Sequence, residues 1–260
     1  MIITSAQYFK QRPNKIISLV PSQTELLFYL GLEEEVIGVT KFCVHPQKWF
    51  KTKTRVGGTK TINIDLIKKL QPDLVIANKE ENVKEHVEEL ANEFDIWVTD
   101  VNTLNDAFQM INDISELTHK RNEALTLIKQ IKSNFYQLHI HDKKIGAVYL
   151  IWQKPYMAVG GDTFISNMME HCGMQNIFKN KNRYPEITLE ELATNSCQLI
   201  LLSSEPYPFN QNNFNELQLC LPGKKIILVD GEMFSWYGSR LLLAPQYFRD
   251  LWKVICSTGK

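Results

Sequence analysis

No stretch of this chain is apolar for the roughly 20 residues that a bilayer-spanning helix needs. Neither charge sign dominates: 29 basic residues balance 29 acidic ones, for a formal net charge of zero. That balance lacks the basic footprint by which proteins hold nucleic acid, so no nucleic-acid partner is expected. Cysteine is sparse and odd in number, with five residues at Cys43, Cys172, Cys197, Cys220 and Cys256. None stands in a CxxC pair, which excludes a zinc ribbon and supplies no disulfide framework. They read as small buried apolar side chains. Catalytic signatures are missing too. No GxGxxG follows the first strand, no GxSxG occurs, and Gly57-Gly58-Thr59-Lys60 lacks the spacing of a phosphate loop. No catalytic residue is assigned. The opening MIITSAQYFKQRPNK has neither the roughly 7–15-residue apolar core nor the small-residue cleavage site of a signal peptide. The expectation is a cytoplasmic chain, or one whose leader lies outside this sequence.

What is present is a globular composition. Hydrophobic residues make up 44% of the 260 positions and charged residues 22%, enough for one large or two medium domains. Residues 15–32, KIISLVPSQTELLFYLGL, carry the densest local signal. Ile16 to Val20 read as a buried strand, broken by Pro21. A helix follows, with Ser22 and Glu25 in the spacing of a capping box and Gly31 as its stop. A polar Ser22/Gln23/Thr24 cluster at a strand's carboxyl end is where open α/β sheets place ligands.

Strand and helix patterns then alternate. Residues 36–40, 73–77 and 96–98 read as strands, and 65–70 and 80–94 as helices. Residues 41–55 read as a polar, aromatic loop. Such alternation predicts a parallel sheet covered on both faces. Residues 105–139 differ. Apolar residues recur at three- and four-residue steps from Ala107 to Leu138, with one gap after Leu117, and no Gly or Pro intervenes. The spacing predicts one helix of roughly 50 Å at 1.5 Å per residue. A hairpin broken near residues 119–122 is the alternative. The alternation restarts with strands at 145–152, 197–203 and 225–230, and helices at 163–172, 189–194 and 241–256. QPDLVIANKE at 71–80 parallels NSCQLILLSSE at 195–205. The expected organisation is an α/β lobe at 1–104, a bridging helix at 105–141 and a second α/β lobe at 142–260, with a ligand cleft between lobes.

The loops after the second lobe's strands are aromatic: Trp152, Tyr156, Tyr207, Phe209, Phe234, Trp236 and Tyr237. Large rings in loops suit a large apolar or planar ligand. Cys43 and His45 stand two apart and could ligate a metal with remote carboxylates, or be a buried thiol and a loop histidine. His139 and His141 read as surface residues.

IISLVPSQTELLFYLG, LQPDLVIA, GGDTFISNMMEHCGMQNIF and the following YPEITLEEL together resemble the class III periplasmic-type substrate-binding proteins. These are also called helical-backbone metal receptors: the cobalamin-, siderophore- and haem-binding components of bacterial ABC importers. The likeness covers nearly the whole chain and is nearest the cobalamin branch. It implies two Rossmann-like α/β lobes bridged by one long helix, a monomer, an ABC permease with its ATPase as partners, and a periplasmic or cell-envelope location. It implies no enzymatic activity and no intrinsic cofactor, with cobalamin or another metal complex carried as ligand. By that resemblance Tyr184 faces the ligand and Glu190 docks on the permease. The other docking acid falls at Glu81 or Glu85, with Lys84 at the aligned position. Phe42 is the first lobe's ligand-facing aromatic, and Asn78 stands where a second would be. Pro21, Ser22, Gln23, His45, Lys60, Trp152, Tyr156, Trp236, Tyr237 and Arg240 complete the expected ligand set, with Arg240, Lys60 and Lys41 available for anionic groups. An iron–siderophore or haem ligand is the alternative, haem favouring an axial donor such as His45 or Tyr237. A cytosolic metal-cofactor handling protein or enzyme on the same fold is the second alternative.

Overall fold

The computed structural model describes residues 2–3, 12–138 and 144–257. The chain forms two compact units. One holds Met1–Val101, Asn105–Ile131 and Tyr237–Arg240; the other holds Asn102–Leu104, Lys132–Trp236 and Leu241–Lys260.

The first unit is built on a six-stranded sheet of β1 (Ile2–Ile3), β2 (Ile16–Ser18), β3 (Val36–Val39), β4 (Thr54–Arg55), β5 (Leu74–Asn78) and β6 (Ile96–Thr99). Their order is β1-β6-β5-β2-β3-β4, every pair parallel. All five residues of β5 are buried, as its unbroken apolar run requires of a strand covered on both faces. Ile17, Val75 and Ala77 pack with Ile67 of α3 (Ile64–Leu70) and Val87 and Leu90 of α4 (Lys84–Ala91). Each valine, leucine or isoleucine among them contributes about 1.5–3 kcal/mol by leaving water. The expected loop at 41–55 contains a short helix, α2 (Gln47–Thr52), anchored by buried Trp49.

Helix α1 (Pro21–Tyr29) starts differently from its sequence signature. Its N-cap is Val20, without a side-chain cap, and Pro21 occupies the first turn. Proline loses nothing there, because that N–H has no helical partner. Ser22 is therefore already inside the helix, the Ser22–Glu25 capping box does not form, and Glu25 pairs with Arg240 instead. The stop is as expected. Gly31 has φ +74, its N–H donates to Phe28 O, and Leu32 N–H donates to Leu27 O, which is a Schellman closure.

The expected single helix over 105–139 is two helices, α5 (Leu104–Thr118) and α6 (Arg121–Tyr136). His119 takes φ 57, and Lys120 N–H reaches back to Ser115 O. Before the break the stripe is Ala107, Met110, Ile111, Ile114 and Leu117; after it, Ala124, Leu127, Ile128 and Ile131. Leu125, counted in the predicted stripe, is exposed. The interval from Leu117 to Ala124 equals one three-step plus one four-step, so periodicity alone could not register the interruption. His139 and His141, including the expected end of the bridge, lie outside the described residues.

The second unit's sheet is mixed. It comprises β7 (Ile145–Trp152), β8 (Tyr156–Ala158), β9 (Met174–Asn176), β10 (Glu186–Ile187), β11 (Leu199–Ser203) and β12 (Lys225–Val229). The order is β10-β8-β7-β11-β12, with β9 beside the start of β7. β8 runs antiparallel to β7 and β10, whereas β9, β11 and β12 follow parallel connections. Its helices are α7 (Phe164–His171), α8 (Leu189–Thr194), α9 (Gln211–Cys220), α10 (Glu232–Ser235) and α11 (Ala244–Ser257). Capping boxes start α8, from Thr188 and Glu191, and α9, from Asn210 and Asn213. Among the described residues, no helix is long and apolar enough to cross a membrane.

Candidate functional site

In the first sheet the chain steps from β2 to β3 and β4, then returns to β5 on the other side of β2. That reversal is the position at which open parallel sheets bind ligands. Here the strand ends and the start of α1 hold a dense polar set. Ser22, Gln23, Thr24, Asn78 and Thr99 are all buried. Gln23 Nε2 donates to Thr99 Oγ1 at 2.6 Å. Tyr237, from the segment 237–240 that belongs to this unit, sets its hydroxyl against Ser22 and Gln23. Burial raises that phenol well above its ordinary range, and Glu81 adds to the shift.

Several of the expected ligand residues carry bonds within the fold. Asn78 uses its whole amide internally. Nδ2 donates to Thr99 O and Thr99 Oγ1, while Oδ1 accepts from Glu80 N and Glu81 N. It builds the turn that presents Glu81 rather than facing outward itself. Lys60 Nζ donates to Glu80 O. Arg240 was expected to await an anion, in the second lobe. It lies in the first unit, 8% exposed, and its guanidinium grips Glu25 at 3.0 and 2.7 Å. Such a bidentate pair satisfies the fork geometry of arginine within the fold. Pro21 is buried as a helix-starting residue.

Cys43 and His45, the two residues considered for a metal, differ in their surroundings. Cys43 is fully buried, its Sγ 3.1 Å from Thr24 Oγ1 and 3.2 Å from Thr40 Oγ1. Burial raises the thiol above its ordinary range. Among the described residues, no three His, Cys, Asp or Glu side chains converge as a metal site would require. Phe42 is 50% exposed with Lys41 Nζ 5.2 Å from its ring centroid, and His45 is half-buried. Glu81, offered as a docking acid, is half-buried. Its charge raises both Cys43 and Tyr237, so it belongs with the polar set. Glu85, in the first turn of α4, is exposed.

At the carboxyl end of the second sheet the aromatics divide. Trp152, closing β7, is 41% exposed and meets Tyr207 edge-on at 5.6 Å. Tyr207 in turn contacts Phe209 at 4.8 Å. Trp236 is only 6% exposed, its Nε1 donating to Glu205 Oε1 at 2.9 Å. Phe234 is core, packed on Tyr149 and Phe248. Tyr156 packs on the hydrophobic core with its hydroxyl beside Gln153, and Tyr184 is half-buried. Glu205 also accepts from Ser235 Oγ. Burial raises its carboxyl despite these donors. Gly231 is required by proximity: a Cβ there would lie 2.5 Å from Ser203 Oγ and 2.6 Å from Glu205 Cγ. Glu190, in the first turn of α8, is exposed. Sequence reasoning missed Glu205, Gln153 and the Glu25–Arg240 pair. A lone acid or amide after an apolar strand carries no signal of the partner it will meet.

Both α/β units carry polar or aromatic side chains at the carboxyl ends of their strands, where sheets of this kind hold ligands. The family profile described as Periplasmic binding protein matches residues 16–218, and the chain belongs to that family. Among similar proteins is the vitamin B12-binding protein of Pectobacterium atrosepticum, 27% identical over 245 residues, covering 90% of this chain and 86% of that one. The crystal structure of the periplasmic vitamin B12-binding protein of Vibrio cholerae superposes with TM-score 0.78 at 21% identity, covering 95% of this chain and 99% of that one. A periplasmic haem-binding protein from Pseudomonas aeruginosa superposes with TM-score 0.79 at 16% identity, covering 95% and 94%.

Proposed function

We propose that this protein is the substrate-binding component of an ABC-type importer. It captures a metal complex, a cobalamin or related corrinoid, at the carboxyl ends of its sheets and delivers it unchanged to a permease and ATPase in the cell envelope. The observation that carries the corrinoid reading is the disposition of charge. Arg240 is engaged by Glu25, Lys60 by a backbone carbonyl, Lys41 lies over the Phe42 ring, and Glu81 lies with the polar set. A site so arranged suits a ligand rich in neutral amide donors and apolar surface. Anionic catecholates or haem carboxylates call for available guanidinium groups. The vitamin B12-binding relative supports the same choice. Trp152 supplies exposed ring surface, while Glu190 and Glu85 offer an exposed acid on each unit for basic permease residues.

The test incubates the protein with cyanocobalamin, haemin and a ferric siderophore in separate samples, desalts each, and records absorbance. Retention of the corrinoid, recovered with its mass unchanged, is expected. Retention of haemin or the siderophore alone would overturn the corrinoid reading, and an altered mass would mark chemistry rather than carriage. Trp152→Ala should weaken corrinoid binding by about 1–2 kcal/mol, roughly five- to thirtyfold in Kd by titration.

A further inference from the structure

Gln153 follows Trp152 in the turn that joins β7 to β8. It is 7% exposed, and a buried amide must find partners for its oxygen and its nitrogen. Gln153 finds all of them. Oε1 accepts from Tyr207 Oη at 3.0 Å and Asn213 Nδ2 at 2.7 Å. Nε2 donates to Tyr156 Oη at 3.2 Å and Glu216 Oε2 at 3.3 Å. The four partners come from β8, from the loop after β11 and from α9. An amide so saturated cannot rotate or flip without breaking bonds at both of its ends, and each break would leave a buried polar atom unmatched.

One of those bonds fixes the Tyr207 ring, and Trp152 leans on that ring at an interplanar angle of 66°. A tryptophan left 41% exposed would ordinarily sample several rotamers. Here it rests on a tyrosine tethered at its far end. We infer that Gln153 is a positioning residue. It holds the Trp152–Tyr207 pair as a pre-oriented shelf for a flat face of the ligand, so that binding does not have to order those rings. The inference rests on the carrier reading above. The gain is entropic: each rotamer-rich side chain fixed in advance is one that binding need not immobilise.

The test uses full-length protein labelled with 5-fluorotryptophan, in which Trp152→Phe assigns the Trp152 fluorine resonance. Gln153→Glu sets a carboxylate against Glu216, and Gln153→Glu with Glu216→Gln restores an acid–amide pair with the roles exchanged. Tyr207→Phe is the milder variant, removing one hydroxyl and keeping the ring. The native protein should give one narrow Trp152 line. Gln153→Glu and Tyr207→Phe should broaden or split it, and the exchanged pair should restore it. Cyanocobalamin affinity should fall about tenfold in the single variants, chiefly through faster dissociation, and return to within about threefold in the exchanged pair. An unchanged Trp152 line in a folded single variant would overturn the positioning role. So would an affinity that stays low when the line is restored. If the native protein binds no corrinoid, the corrinoid reading fails, and the fluorine spectra still decide whether Gln153 orders Trp152.

Discussion

Glu205 is a carboxylic acid held above its ordinary range by burial, against the pull of two donors, Ser235 Oγ and Trp236 Nε1. The folded state thus keeps its proton to higher pH than the unfolded chain does. Stability from the neutral form is present at low pH and is lost as pH rises from the ordinary glutamate value through the raised folded one. Glu205→Gln keeps a neutral side chain of the same shape. Its Tm should stay level across that window while the native Tm declines; parallel pH profiles would sink this account. Glu25 matters through its partner. Its removal leaves the Arg240 guanidinium nearly buried without its carboxylate. Glu25→Ala should therefore cost about 3 kcal/mol in denaturant unfolding.

Between α5 and α6, His119 bears a left-handed conformation that glycine adopts more readily. His119→Gly should stabilise the fold by about 0.5–1 kcal/mol if the helix is interrupted there, and destabilise it by about the same if it is continuous. Urea midpoints settle the sign. Elements with unmixed signals were legible in the sequence. β7 and α8 begin and end where their patterns say, and β5 and β11 stand within two residues of theirs. α9 was not legible. Its buried residues are only Asn213 and Leu217, and its start is an asparagine pair rather than the usual Ser/Thr with Glu. β4 and β10 are two residues each, too short for any period to show. The site was legible by residue type alone. Trp152 and Trp236 look alike in sequence, and it is partners such as Glu205, 31 positions away from Trp236, that set the two apart.

For the whole molecule, the importer reading predicts that recognition of ligand and recognition of permease are separable. Glu190→Arg should leave cyanocobalamin affinity unchanged and lower transport in vesicles holding the permease; a matching loss of both would place Glu190 in ligand binding. The discontinuity of the first unit reaches further. Its last piece, Tyr237–Arg240, comes from near the end of the chain, and Arg240 closes on Glu25 from 215 residues away. A ribosome adds about 5–20 residues per second, so roughly ten to forty seconds separate the synthesis of that acid from the synthesis of its partner. For that interval the amino-terminal sheet is an incomplete object, with its switch-point end uncovered. The head start that an earlier-made domain usually enjoys during translation is curtailed here, because a segment made some 215 residues later is needed to finish it.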